Sequence, residues 1–240
     1  MAGDDDAKDN LPAARKAAEI EAFLKQVAAM PAVRPAGAGG RIVFALDATA
    51  SRQPTWDFAC RLQGEMFEVA AALGGIEVQL VYYRGFAECK ASRWLGTAAD
   101  LHRAMESVFC VGGKTQITRV LAHALKEAKS RKVNALVFVG DAMEEEVGEL
   151  ARLAGELGLV GTPVFTFHEG ADETAGGAFR EIARLSGGAY CRFDAGSAQQ
   201  LRALLGAVAA YAAGGRAALA DYGKRAGGAA LLLAGAINGR

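Results

Sequence analysis

Two periodicities alternate along this chain, and each switch between them marks an element. Runs of strand length occur at Arg41–Asp47 (RIVFALD), apolar without a break between its ends, and at Ile76–Tyr83, Val133–Gly140 (VNALVFVG), Pro163–Phe167 and Ala189–Phe193. Runs without a polar face belong to strands covered on both sides, as in a parallel sheet packed between helices. Between them lie segments with apolar residues three and four apart, which predict helices at Trp56–Leu73, Thr97–Val108, Thr115–Ser130, about Glu144–Leu157 and Ala175–Leu185. Pro54 is acceptable in the first turn of the first of these. Gly85 permits a tight turn into a further strand, Ala87–Ser92, and so short a connection makes that pair antiparallel, at an edge of the sheet. The expected fold class is therefore α/β: three layers, doubly wound, with a mostly parallel sheet and one antiparallel edge strand.

Three regions are expected. Residues 1–40 hold an amphipathic helix, Leu11–Met30, with Ile20, Phe23, Leu24 and Val27 on its apolar face, and a Pro/Gly linker from Pro31 to Gly40. Residues 41–211 form the α/β domain, closed by a helix Ala198–Tyr211 that a capping box of Ser197 and Gln200 opens. Residues 212–240, rich in Ala and Gly with Leu219, Tyr222 and Leu231–Leu233, read as a tail of one or two weak helices.

Composition narrows the function classes. Of 240 residues 52% are apolar, enough for a sizeable core, and 27 basic residues balance 27 acidic ones. That balance supplies no basic field for nucleic acid and no polybasic patch for a membrane. The acidic start, Met1–Asn10, does not resemble a secretory signal, and the longest apolar run, Ala226–Ile237, is shorter than the roughly 20 residues a bilayer requires. Cys60, Cys89, Cys110 and Cys191 are scattered, with no CxxC pair and no His at metal spacing, so they read as reduced core residues. A cytoplasmic location is expected.

In open α/β sheets chemistry gathers where strands end on the carboxyl side, near the point where strand order reverses. Three polar loops fall there: Asp47-Ala48-Thr49-Ala50-Ser51 after the first strand, Gly112-Gly113-Lys114-Thr115 entering a helix, and Gly140-Asp141 after the strand VNALVFVG. Together, in this order, they resemble the metal-ion-dependent adhesion site of von Willebrand factor A (VWA) domains. The first-loop motif of that family, Asp-x-Ser-x-Ser, is met by Asp47, Thr49 and Ser51, with Thr in place of the first Ser. Thr115 matches the family's second-loop Thr, although Lys114 separates it from the Gly pair. Asp141 matches the third-loop Asp, with Ala142 where Gly is frequent. The resemblance spans roughly Arg41 to Tyr211. It implies one Mg²⁺ or Mn²⁺ ion held by Asp47, Thr49, Ser51, Thr115 and Asp141, a protein partner that presents an Asp or Glu, and no catalysis.

The donor chemistry agrees with this. Mg²⁺ takes six hard oxygen ligands and keeps waters, and no His or Cys stands in these loops to favour zinc. The same residues also have plainer uses. Asp141 with Glu144 suits a capping box, Thr115 an N-cap, Thr49 and Ser51 loop hydrogen bonds, and Glu144, Glu145 and Glu146 the positive end of a helix dipole. Two enzyme readings weaken on inspection. Gly112–Thr115 ends like a phosphate-binding P-loop, but Val108 occupies the first glycine position and a helix precedes it. Asp47 suits the nucleophile of a haloacid-dehalogenase-type phosphatase, but Thr49 stands where the general acid belongs. That hydrolase and a metal-independent scaffold are the alternatives. The three histidines carry little: His102 and His123 read as structural, and for His168, at a strand end near the site, a rim role in recognition is the lesser alternative; Trp56 and Trp94 read as packing residues.

Overall fold

The computed structural model describes residues 13–29, 39–193 and 198–237. Met1–Asn10, most of the Pro31–Gly40 linker and Ser197 of the expected capping box lie outside the described residues. The order is α1 (Ala13–Ala29), β1 (Gly40–Asp47), a 3₁₀ turn (Ala50–Arg52), α2 (Gln53–Leu62), α3 (Gly64–Ala71), β2 (Ile76–Arg84), β3 (Glu88–Ala91), α4 (Ala98–Glu106), α5 (Ile117–Ser130), β4 (Ala135–Gly140), α6 (Val147–Leu159), β5 (Val164–Glu169), α7 (Glu173–Ser186), β6 (Ala189–Phe193) and α8 (Ala198–Ile237).

The six strands form one sheet in the order β3-β2-β1-β4-β5-β6. Every pair is parallel except β2 with β3 at the edge. The apolar runs follow from two-sided burial. Along β1, Ile42, Phe44 and Leu46 enter the layer beneath α1–α4 and α8, while Val43 and Ala45 enter the layer beneath α5–α7. All eight residues of β1 are buried. Sheet order reverses between β1 and β4, so the carboxyl ends of these two strands flank a crevice.

The amphipathic N-terminal helix finds its cover within this chain. Phe23 and Val27 are fully buried, and the Phe23 ring meets Phe165 and Phe167 edge-on at 6.0 and 5.6 Å between centroids. Truncating an aromatic so enclosed costs roughly 3–5 kcal/mol. Leu24 is only partly buried.

Several element boundaries differ from the sequence reading. The segment expected as one helix from Trp56 to Leu73 is two, α2 and α3, joined through Gln63 in helical conformation, and it begins at Gln53. Helix α6 begins at Val147 rather than Glu144, and α5 at Ile117 rather than Thr115. The C-terminal helix continues past Tyr211 and bends at Gly215, whose φ of 68° a side chain would resist. No helix among the described residues is long and apolar enough to cross a membrane.

Candidate functional site

The buried strand β1 drives Asp47 to the mouth of the crevice, where the carboxylate is only 3% exposed. Its Oδ1 accepts the Thr49 N–H at 2.7 Å, which folds the first loop back on its own strand. Its Oδ2 is buried with no hydrogen-bond partner. The Tyr83 hydroxyl is buried beside it and interacts with the Asp47 carboxylate, although the pair does not meet full hydrogen-bonding geometry. Burial pushes the Asp47 carboxyl above its ordinary value, and the neighbouring Asp141 adds to the push. Burial also raises the Tyr83 hydroxyl well above its own.

The other loops meet the first. The Ser51 hydroxyl donates to Asp141 Oδ2 at 3.2 Å and lies 3.4 Å from Thr49 Oγ1. The Val111 N–H donates to the Ala48 carbonyl at 2.9 Å, docking the second loop on the first. Thr115 is buried and bonded reciprocally to the third loop: its N–H donates to the Glu144 carboxylate at 3.1 Å, and its hydroxyl oxygen accepts the Glu144 N–H at 3.0 Å. Asp47, Thr49, Ser51, Thr115 and Asp141 all line one cleft of about 270 Å³, together with Gly112, Gly113, Ala142 and Glu144.

The plainer readings of these residues can now be compared with where they lie. Asp141 and Glu144 do not cap α6, whose N-cap is Glu146. Instead the Glu145 carboxylate takes the N–H groups of Ile117 at 2.6 Å and Thr118 at 2.9 Å, and so caps α5. The acidic run expected to serve its own helix serves the neighbouring one, with the same electrostatic logic. His168 is not a rim residue. It is 2% exposed, bonded through Nδ1 to the Tyr190 hydroxyl at 2.9 Å and edge-on to Phe179. His102 meets the Cys60 carbonyl at 3.0 Å and His123 the Gln79 side chain at 2.9 Å, both structural uses.

Sequence reasoning missed a buried charge group behind the cleft. Arg52, 3% exposed, pairs with Glu169, which also accepts the Thr55 hydroxyl. The other arm of the guanidinium reaches Asp141 at 3.6 Å. The only sequence signal was an arginine directly after the DATAS loop. With Asp47 ionised, the carboxylates of Asp47, Asp141 and Glu169 outweigh the one guanidinium, and Glu144 adds a further carboxylate to the cleft lining.

Does this donor set suit a divalent ion? Among the described residues no group of three or more His, Cys, Asp or Glu side chains is arranged to hold a metal. An ion here would rest on two carboxylates and three hydroxyls, completed by water, which is within the habits of Mg²⁺. The Asp47 Oδ2 without a hydrogen bond and the surplus negative charge fit it. The Arg52 guanidinium beside Asp141 works in the opposite sense.

The chain matches no protein-family model, and no curated protein matches its sequence. Solved structures do resemble it. The VWA domain of SpRpn10 is 12% identical, with 69% of this chain and 93% of that one aligned at a TM-score of 0.54. The vWF domain of the type V pili tip protein Mfa5 from Porphyromonas gingivalis is 10% identical, over 74% of this chain and 95% of that one, at 0.53. Proximal thread matrix protein 1 from the mussel byssus is 16% identical over 78% of this chain, which spans only 49% of that protein, at 0.56. Identities this low speak for fold alone. This chain has a VWA-like α/β fold.

Proposed function

We propose that this chain is a protein-binding module whose cleft holds Mg²⁺ or Mn²⁺ through Asp47, Thr49, Ser51, Thr115 and Asp141 and engages an Asp or Glu of a partner protein. The observation that supports it most is the buried, unpartnered Asp47 Oδ2 in a cleft lined by all five oxygen donors. A carboxylate left this way in the ion-free protein costs free energy that a cation recovers. When bound, such an ion supplies an electrophilic position at which a partner's carboxylate replaces water. The residues of this chain prepare that event. Asp47 is fixed by the Thr49 N–H, Ser51 ties the first loop to Asp141, and Glu144 and Glu145 hold the second loop against the third. In this reading the site binds and does not catalyse, since Thr49 stands where a general acid is needed.

One observation favours the metal-independent scaffold as a second reading: Arg52 already offers Asp141 a cation at 3.6 Å. Affinity capture from native cells separates the two. Proteins retained by the wild type in millimolar Mg²⁺ should be lost in chelator and lost on Asp47→Ala, while the variant keeps its circular-dichroism spectrum. Equal capture by both proteins, with or without chelator, selects the scaffold.

A further inference from the structure

The described surface has five large apolar side chains that are strongly exposed: Phe86, Phe109, Val111, Val147 and Leu159. Leu159 lies at the far end of α6. Three of the others stand on loops at the carboxyl edge of the sheet, around the candidate ion cleft, and Val147 is the first residue of α6 there. Phe86 follows Gly85 in the β2–β3 turn, Phe109 and Val111 lead into the cleft-lining Gly112 and Gly113, and Val147 opens α6 just after the third loop. Exposed apolar residues scattered singly are ordinary, whereas a concentration on one rim marks a surface that expects a partner.

The two loops carrying the aromatic residues are tied together rather than left loose. Gly113 is in backbone contact with Gly85, where an added Cβ would lie 2.0 Å from the Gly85 carbonyl oxygen. The Lys114 N–H donates to that same carbonyl at 3.0 Å. Gln116 Nε2 reaches the Arg84 and Gly85 carbonyls at 3.2 and 3.3 Å, Arg84 Nη1 the Phe109 carbonyl at 2.8 Å, and Arg119 Nη1 the Ala87 carbonyl at 2.6 Å. Phe86, 79% exposed, and Phe109, 72% exposed, are therefore presented to solvent on a braced platform. A surface prepared in this way loses little conformational freedom when it is covered. The exposed Lys114 lies between the aromatic loops and the cleft and favours an acidic visitor.

We infer that the occupant of this rim is a protein segment in which the acidic residue is flanked by bulky apolar side chains, which cover Phe86, Phe109 and Val111 while the carboxylate enters the cleft. This deepens the reading under Proposed function and rests on it for the carboxylate, but the flanking contacts are read separately. The test is an array of synthetic nonapeptides with a central Glu or Asp, flanked either by Leu and Phe or by Ser and Gly. It is probed in Mg²⁺ and in chelator with the wild type and with the double variant Phe86→Ser, Phe109→Ser, whose changes fall on exposed positions. The expected result is that apolar flanks tighten binding at least tenfold for the wild type, and that the double variant loses this gain while binding Mg²⁺ as the wild type does in calorimetry. Equal binding of both peptide sets, or a flank preference that survives in the double variant, overturns the inference. So does a concentration-dependent wild-type dimer in sedimentation that the double variant abolishes, since the rim would then serve a second copy of this chain. Failure of the ion reading shows elsewhere, as peptide binding unmoved by chelator.

Discussion

The first β-strand carries a buried charge at each of its ends, and the chain treats them in opposite ways. Arg41, at the amino end, is 7% exposed and met by opposite charge, although its Nε makes no hydrogen bond. It donates to the Arg131 carbonyl at 3.1 Å, pairs with Glu77 and Glu127 at 3.5 and 3.7 Å, and stacks on Trp94 at 3.7 Å. Its backbone is bracketed by Asn134, whose side chain accepts the Arg41 N–H at 3.0 Å and whose own N–H reaches the Arg41 carbonyl at 2.8 Å. Asp47, at the carboxyl end, has one oxygen satisfied by the Thr49 N–H and the other without a partner in hydrogen-bonding geometry, with the Tyr83 hydroxyl beside the carboxylate and Asp141 adding like charge nearby. In the proposed function the Arg41 pole serves stability and the Asp47 pole binds the ligand, with the apolar rim of Phe86 and Phe109 at the second.

The sharpest way to break that division is to remove the one charge at the Asp47 pole that is structural. Arg52→Ala strands the buried Glu169 carboxylate and should cost about 3–5 kcal/mol in denaturant unfolding. A loss under about 1 kcal/mol would mean the pair is solvated and contributes little. Arg41→Ala should cost less, about 2 kcal/mol, because Glu77 and Glu127 remain partly in water once the guanidinium is gone. It should leave any response to Mg²⁺ untouched, so altered ion affinity in this variant would show that the two poles are not independent. The smallest effect is expected at the residue held most important for binding. In chelator, Asp47→Asn keeps an oxygen for the Thr49 N–H and removes an unpaired buried charge, so stability should stay level or rise by about 1 kcal/mol. A marked loss would make Asp47 a structural residue like Arg41.

Much of this was legible in the sequence, for reasons that differ by element. Strands buried on both faces announce themselves, and RIVFALD and VNALVFVG correspond to β1 and β4 to within a residue or two. The antiparallel edge was readable from the short turn at Gly85, which leaves no room for a crossover. The five proposed donors were picked out because three loops in chain order resemble the VWA motif, two of them after strands β1 and β4 and the third, with Thr115, ahead of α5, and they line one cleft. Whether they hold an ion rests on chemistry and not on that arrangement. What stayed hidden depends on contacts between distant segments. Arg52 and Glu169 are 117 residues apart, so nothing local betrays their pairing. Glu145 reads as the start of its own helix because its i+3 and i+4 pattern is there, yet its carboxylate serves Ile117, 28 residues back. The break between α2 and α3 leaves the backbone helical through Gln63, so the apolar period passes across it unmarked.

The claim that most needs measurement is that the unpartnered Asp47 oxygen is one half of an ion site. Isothermal titration of the chelator-treated protein with Mg²⁺ and Mn²⁺, paired with thermal unfolding across the same concentrations, addresses it directly. An ion bound to the native state alone stabilises by mass action, about 2.7 kcal/mol at a hundredfold excess over the dissociation constant. The account predicts one ion per chain and a midpoint that climbs with ion concentration in the wild type and in Arg41→Ala, and stays flat in Asp47→Asn. No heat and no shift in the wild type at millimolar Mg²⁺ or Mn²⁺ would contradict it, and would leave Asp47 and its four companions as loop residues around an empty cleft.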